Sequence, residues 1–435
     1  MTINRAFSLF FFGIIFNIVS AHADSWSAHV VYSTQHTTSF PLSVSPSPLI
    51  PFRLALDHAW ARDPYREEFR THQNSALKKA DAAHSWFAGG PTVNGSYMDD
   101  HFIGSNEGYT TYEGSVSVPL WLPGQEDATH DVAMSDANMA SQKLAMSRLT
   151  LAIRLLDATT TLMLAHVRLT AMTNLRNATR HLSDLAIQSA RTGETPNVDA
   201  ALARAASRTA EDEWTQAKEA LNNAQNTLDI LTGQPFLPDI SVYLPSRLQY
   251  LSSARLERII EEEPRVRAAH AALETARAAL KLARRSYMPN PEVGIGAIHE
   301  KQYGSPWDTR VGVNITLTLP SEVRNTPIMM EATDRLATAT SQEELARRMV
   351  KQELAQVRER MATASVERNI LSDSANDLEH RAVAEERAWR EGEHGFDVTL
   401  RARQDAVRAE LARDQAEIAW HAAALRFLIA TNAPL

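Results

Sequence analysis

Few residues in the chain invite a chemical reading. The segment GIGAIHEKQY brings Gly294, Gly296, His299 and Glu300 together. Spaced glycines opening a helix cradle a dinucleotide pyrophosphate, and His-Glu-x-x-His on a helix holds zinc beside a general base. Neither motif is complete. A third glycine is missing, Tyr303 stands where the second histidine belongs, and the segment alternates like a strand. Asp99, Asp100 and His101 are adjacent oxygen and nitrogen donors suited to a cation, but they read first as a solvated extracellular turn. With no G-x-S-x-G, no P-loop and no metal-spaced His/Cys cluster, the chain is not expected to be an enzyme. Neither a cofactor nor a resident metal ion is expected.

The elements around these residues are more informative. In TRVGVNITLTLPSEVRN, Val311, Val313, Ile315, Leu317 and Leu319 alternate with Gly312, Asn314, Thr316 and Thr318. In YEGSVSVPLWLPGQ, Val116, Val118, Leu120 and Leu122 take the same role. Strands of this kind are expected at about 91–103, 112–123, 291–303 and 309–320. Each runs about 10 residues, the length of a membrane strand. Val313, Ile315 and Leu317 are assigned to lipid. In a bilayer only a closed barrel leaves no backbone amide unpaired, and about eight strands is the practical minimum for closure. Four strands must therefore be completed by other copies: two copies give eight and three give twelve, and strand count alone leaves both open.

Residues 1–23, with Arg5, the apolar run AFSLFFFGIIFNIVS and Ala21-His22-Ala23, read as a cleavable signal peptide. The rest of the chain offers no helical membrane span, and with no cysteine there is neither a disulfide nor a lipidated N-terminal cysteine. The net charge of −8 gives no nucleic-acid footprint. Residues 24–50 are rich in Ser and Pro and read as an extended lead-in.

The chain also repeats itself. Pro64, Pro91, Pro123, Gly193 and Pro235 answer to Pro264, Pro291, Pro320, Gly392 and Pro434, at offsets of 197 to 200. Two repeats are expected, 51–239 and 240–435, each reading helix, strand, strand, very long helix, tight turn, helix. No glycine or proline interrupts 125–191 or 328–391, and apolar residues recur at coiled-coil spacing: Leu149, Ile153, Leu156, Met163 and Val167, and Val350, Leu354, Val357, Met361 and Ala364.

With these landmarks in order, residues 51–435 resemble the TolC-like outer-membrane efflux protein family. YMPNPEVGIG and PLWLPGQ are most similar to its heavy-metal cation branch, of the cobalt-zinc-cadmium type. The resemblance implies a mainly α protein with a membrane β-barrel. Three protomers each give four strands to a shared twelve-stranded barrel, and their long helices form a periplasmic α-barrel tunnel. It implies outer-membrane lipid, a periplasmic membrane-fusion adaptor and an inner-membrane pump of the resistance-nodulation-division type as partners, with the chain as passive conduit. An outlet for type I protein secretion is the alternative, since the pump chooses the substrate. The two turns, at Gly193 and Glu194 and at Gly392 and Glu393, take the place of the family's tip and adaptor contact. By position, Trp389 matches a gating aromatic, and Asp199, His394 and Asp397 match polar or acidic tip residues. Asp199 and Asp397 also read simply as acids at helix N-termini.

Overall fold

The computed structural model describes residues 49–241 and 253–431, apart from residues 102, 105, 194 and 195. The signal segment, most of the lead-in, Glu194 and the link 242–252 lie outside the described residues.

The same element order occurs twice. The first run is α1 (Phe52–Arg62), α2 (Pro64–Ala83), β2 (Thr92–Asp99), β3 (Thr110–Pro119), α3 (Gln125–Thr192) and α4 (Asn197–Thr232). The second is α5 (Ser253–Glu262), α6 (Pro264–Arg285), β5 (Glu292–Lys301), β6 (Asp308–Thr316), α7 (Glu322–Arg390) and α8 (Phe396–Ala430). A short parallel pair, β1 (Leu49–Pro51) on β4 (Leu237–Asp239), precedes the first run and follows it. Leu49 and Ile50, expected in the extended lead-in, are thus strand residues. Matching caps start the second helix of each run. The Asp63 carboxylate accepts from the Tyr65 amide at 2.8 Å, the Glu263 carboxylate accepts from the Arg265 amide at 2.8 Å, and a proline occupies the first helical position in both.

The long helices have 68 and 69 residues, roughly 100 Å at the α-helical rise. The second begins earlier than its uninterrupted run suggested and continues through Pro327. Shorter helices cover them in tandem. α3 packs on α2, α4, α6 and α8, and α7 packs on α6 and α8. Ala203, Ala210, Ala217 and Ala224 are buried along α4 at heptad spacing, which allows close helix approach. The expected stripe on α3 was too narrow. Leu156 and Met163 are buried, but so are Leu151, Leu155 and Leu162, because a helix with four neighbours needs several apolar faces.

The remaining strands form one antiparallel sheet in the order β2-β3-β5-β6. Pairing of β3 with β5 joins the two runs. Each strand is slightly shorter than expected, and β6 stops before Leu317, which therefore lies outside the strand wall to which it was assigned. The register gives the reason: Thr316 faces Glu292, the first residue of β5, and before it stands Pro291, which has no amide to extend the ladder.

Candidate channel wall and tip

The register sorts the sheet residues onto two faces. Val93, Val116, Ile295 and Val313 form one row across all four strands and are 76%, 49%, 65% and 71% exposed. Val118, Val293 and Ile315 form the next row on the same face. The opposite face carries Asn94, Ser115, Gly296 and Gly312 in one row and Thr92, Ser117, Gly294 and Asn314 in another. Polar bonds run along it: the Ser117 hydroxyl donates to Glu292 at 2.9 Å, the Ser96 hydroxyl to Glu113 at 3.3 Å, and Arg310 pairs with Glu300. A Cβ on Gly294 would meet the Val116 carbonyl oxygen at 2.6 Å, so this position tolerates no side chain. An apolar face left to the outside and a polar face opposite is the division expected of a barrel wall between lipid and lumen.

Aromatic residues bound the apolar band at both ends, which sequence reading missed. At the loop end, Tyr97 lies 5.0 Å from Tyr112, Tyr112 lies 6.1 Å from Trp307, and Trp307 stacks on His299 at 4.5 Å. His299 is therefore a strand residue in an aromatic row, not part of a helical zinc motif. At the helix end stand Trp86, Phe87, Trp121 and Tyr287, with Trp86 91% exposed and the Trp121 indole donating to the Ser85 carbonyl at 2.8 Å. Aromatic girdles of this kind mark the two interfaces of a bilayer. Their signal in the sequence was composition at strand ends, obscured because the second girdle lies in loops.

Below the sheet, the two runs are tied by an amide pair. Buried Gln125 donates to the Asn290 oxygen at 3.3 Å, and the Asn290 amide donates back at 2.8 Å and also to the Leu120 carbonyl at 2.9 Å. Farther along, four helices meet at an ionic network. Buried Glu263 holds Arg265 at 2.7 Å, Arg265 reaches Glu353 at 2.5 Å, and Arg426 contacts Glu353 at 3.2 Å and Asp157 at 3.4 Å. Burial pushes the Glu353 carboxyl up, but Arg265 and Arg426 outweigh it and hold the group below the ordinary carboxylate range.

At the far end, Gly392 has φ +81° and closes α7. The Glu393 amide donates to the Ala388 carbonyl at 2.9 Å and the Gly392 amide to the Trp389 carbonyl at 3.0 Å, the paired bonds of a Schellman turn. Gly193, with φ +82°, closes α3 in the same left-handed conformation. Asp199 and Asp397 stand in the first turns of α4 and α8, where acids complement the helix dipole, and Asp397 also pairs with Arg401 at 3.4 Å. His394 pairs with Glu385. Trp389 packs edge-on against Phe396 at 5.5 Å, beside Leu182, Ala186, Ala203 and Leu400. Within one protomer it is thus a half-buried core residue of the tip. Arg403 clasps the turn by reaching Glu379 and Glu386, each at 3.0 Å.

Asp99, Asp100 and His101 do come together. Their oxygens, however, are used to close the β2–β3 loop: Asp100 accepts from the amides of Glu107, Gly108 and Tyr109 at 2.7, 3.2 and 3.1 Å. None of the described helices is long and apolar enough to cross a membrane.

Comparison with known proteins agrees with this architecture. Residues 56–234 match the model of the outer membrane efflux protein family. No curated protein sequence matches the chain. Among solved structures, a membrane protein of Pseudomonas aeruginosa is 17% identical with a TM-score of 0.71, over 88% of this chain and 90% of that one. The CmeC outer membrane channel of Campylobacter jejuni is 14% identical with a TM-score of 0.71, over 87% and 85%. The outer membrane protein VceC of Vibrio cholerae is 15% identical with a TM-score of 0.67, over 88% and 96%. At these identities the likeness is one of fold. The family match covers residues 56–234, and the fold over the described length is similar to that of outer-membrane channels.

Proposed function

We propose that the chain is the outer-membrane channel of a tripartite pump, built from repeats 51–239 and 240–435, in which three copies close a twelve-stranded barrel over one tunnel. It would conduct passively what a periplasmic adaptor and a resistance-nodulation-division pump deliver, with heavy-metal cations as cargo. The observation that carries this reading is the open four-stranded sheet, apolar and exposed on one face, polar on the other, and continuous with helices of 68 and 69 residues. Edges β2 and β6 have no strand partner among the described residues, and a lone sheet of this kind cannot sit in lipid. The tip turns at Gly193, Glu194, Gly392 and Glu393 meet the adaptor, and Asp199, His394 and Asp397 stand at the resting constriction. Trp389 holds that constriction from within, by packing α7 on α8.

Complementation tests the assignment. Cells lacking their own channel, but retaining a metal-exporting pump and its adaptor, are expected to regain zinc, cobalt or cadmium resistance when the chain is expressed. Restoration only of protein secretion, through an ATP-driven exporter, would establish the type I outlet instead.

A further inference from the structure

Directly below the helix-end aromatic girdle, a groove of about 540 Å³ lies between α6 and α7. Arg277, Lys281, Arg284 and Arg285 line it from α6, and its apolar contacts come from Leu280 of α6 and Leu336 of α7. Leu336 is fixed by packing on Leu273, Ala276 and Ala339. We propose that this groove binds the phosphate head group of an anionic phospholipid, such as phosphatidylglycerol, from the leaflet that borders the helices.

The charges point to an anion. Arg277 pairs with Glu274 at 2.6 Å and Lys281 with Asp131 at 2.7 Å, whereas neither Arg284 nor Arg285 has a carboxylate partner among the described residues. Both arginines are exposed. Arg285 is seated against Gly124, where a Cβ would stand 3.4 Å from its Nε, and this contact limits where the guanidinium can go. Cations in the last turn of a helix complement its dipole. That accounts for arginine at the end of α6, but not for the leucines beside it, nor for cations continuing back to Arg277. The planar guanidinium fork matches phosphate oxygens in pairs.

Position supplies the rest. Tyr287 of the girdle follows Arg285 by two residues, and interfacial aromatics sit at the level of the head groups. A phosphate there reaches the arginines, while the glycerol and first methylenes of the same lipid meet Leu280 and Leu336. A free phosphate has no use for the leucines. Basic pockets at a membrane face hold anionic head groups in this way. The first repeat has no equivalent: counted from Pro64 as from Pro264, Leu77, Asp81, His84 and Ser85 stand in place of Arg277, Lys281, Arg284 and Arg285. One site per chain is therefore expected.

The inference rests on the reading of the sheet as a barrel wall in lipid, but its test uses the purified full-length protein without pump or adaptor. Native mass spectrometry in non-ionic detergent, with dioleoylphosphatidylglycerol or dioleoylphosphatidylcholine titrated in, counts the lipids bound and gives their affinities. Wild type is expected to hold one phosphatidylglycerol per chain, more tightly than phosphatidylcholine. Arg284→Gln and Arg285→Gln are each expected to weaken phosphatidylglycerol binding roughly fivefold, and the double variant about 25-fold, the contribution of each cation beside an anionic leaflet. Arg208→Gln, at an exposed position of α4, is expected to bind like wild type. Size-exclusion profiles matching wild type establish that the variants remain assembled, and the single variants carry the test where the double variant does not assemble. Inorganic phosphate at the concentration of the lipid is expected to leave the lipid bound; displacement would make free phosphate the ligand and overturn the proposal. Equal affinity of wild type for the two lipids, unchanged phosphatidylglycerol binding in both single variants, or an equal loss in Arg208→Gln also overturns it. Each of those results leaves the complementation assay free to succeed, and a failed complementation leaves the lipid titration unaffected, so failure of the site and failure of the efflux reading are distinguishable.

Discussion

Ile315 and Asn314 are neighbours in sequence and opposites in environment. Ile315 shares a row with Val293 and Val118 on the apolar face, and Asn314 a row with Gly294 and Ser117 on the polar one. Arginine at 315 is therefore expected to cost roughly 2–4 kcal/mol if the site sits near the bilayer midplane, while Asn314→Arg is tolerated. Outer-membrane yields of the two variants measure this, and equal yields would reverse the face assignment. At the tip, Trp389→Ala removes an indole from the contact between α7 and α8. For a half-buried aromatic the expected cost is about 2 kcal/mol, below that of a fully buried one. Single-channel conductance in a planar bilayer is expected to rise, because the packing that holds the turn is loosened. Asp397→Asn is expected to lower cation selectivity without affecting assembly; unchanged selectivity would leave Asp397 as a helix N-terminal acid bonded to Arg401 alone.

Among the elements, the junction of α3, α6, α7 and α8 carries a pH dependence. Glu353 has its folded pKa held down by Arg265 and Arg426. Its contribution is therefore present above the unfolded value and is lost as pH falls through the folded value. Thermal melts are expected to show declining stability below the ordinary carboxylate range. Glu353→Gln is expected to be less stable at neutral pH by roughly 1–3 kcal/mol, because two half-buried arginines lose an ionic partner, and to show a shallower acid slope. An unchanged slope would place the acid sensitivity elsewhere. This network was not legible in the sequence, since Glu263, Arg265, Glu353 and Arg426 follow no common period and meet only through tertiary packing. The strand faces were legible, because alternation over nine or ten residues leaves one register that keeps valine and isoleucine together. β1 and β4 were not, being three-residue segments that each contain a proline.

For the whole molecule, the proposed function requires that one chain be completed by other copies. The sheet is open at β2 and β6, its apolar face is exposed, and along α7 Leu345, Met349, Val366 and Ile370 are also exposed in the single protomer. Burial of such surface at about 25 cal/mol per Å² favours association strongly, and under the proposed function three copies of the four-stranded sheet supply twelve strands. Native mass measurement of the protein extracted from outer membrane in mild detergent tests this most directly. A trimer that dissociates on boiling is the expected species. A monodisperse monomer under those conditions would contradict the shared barrel, and with it the conduit.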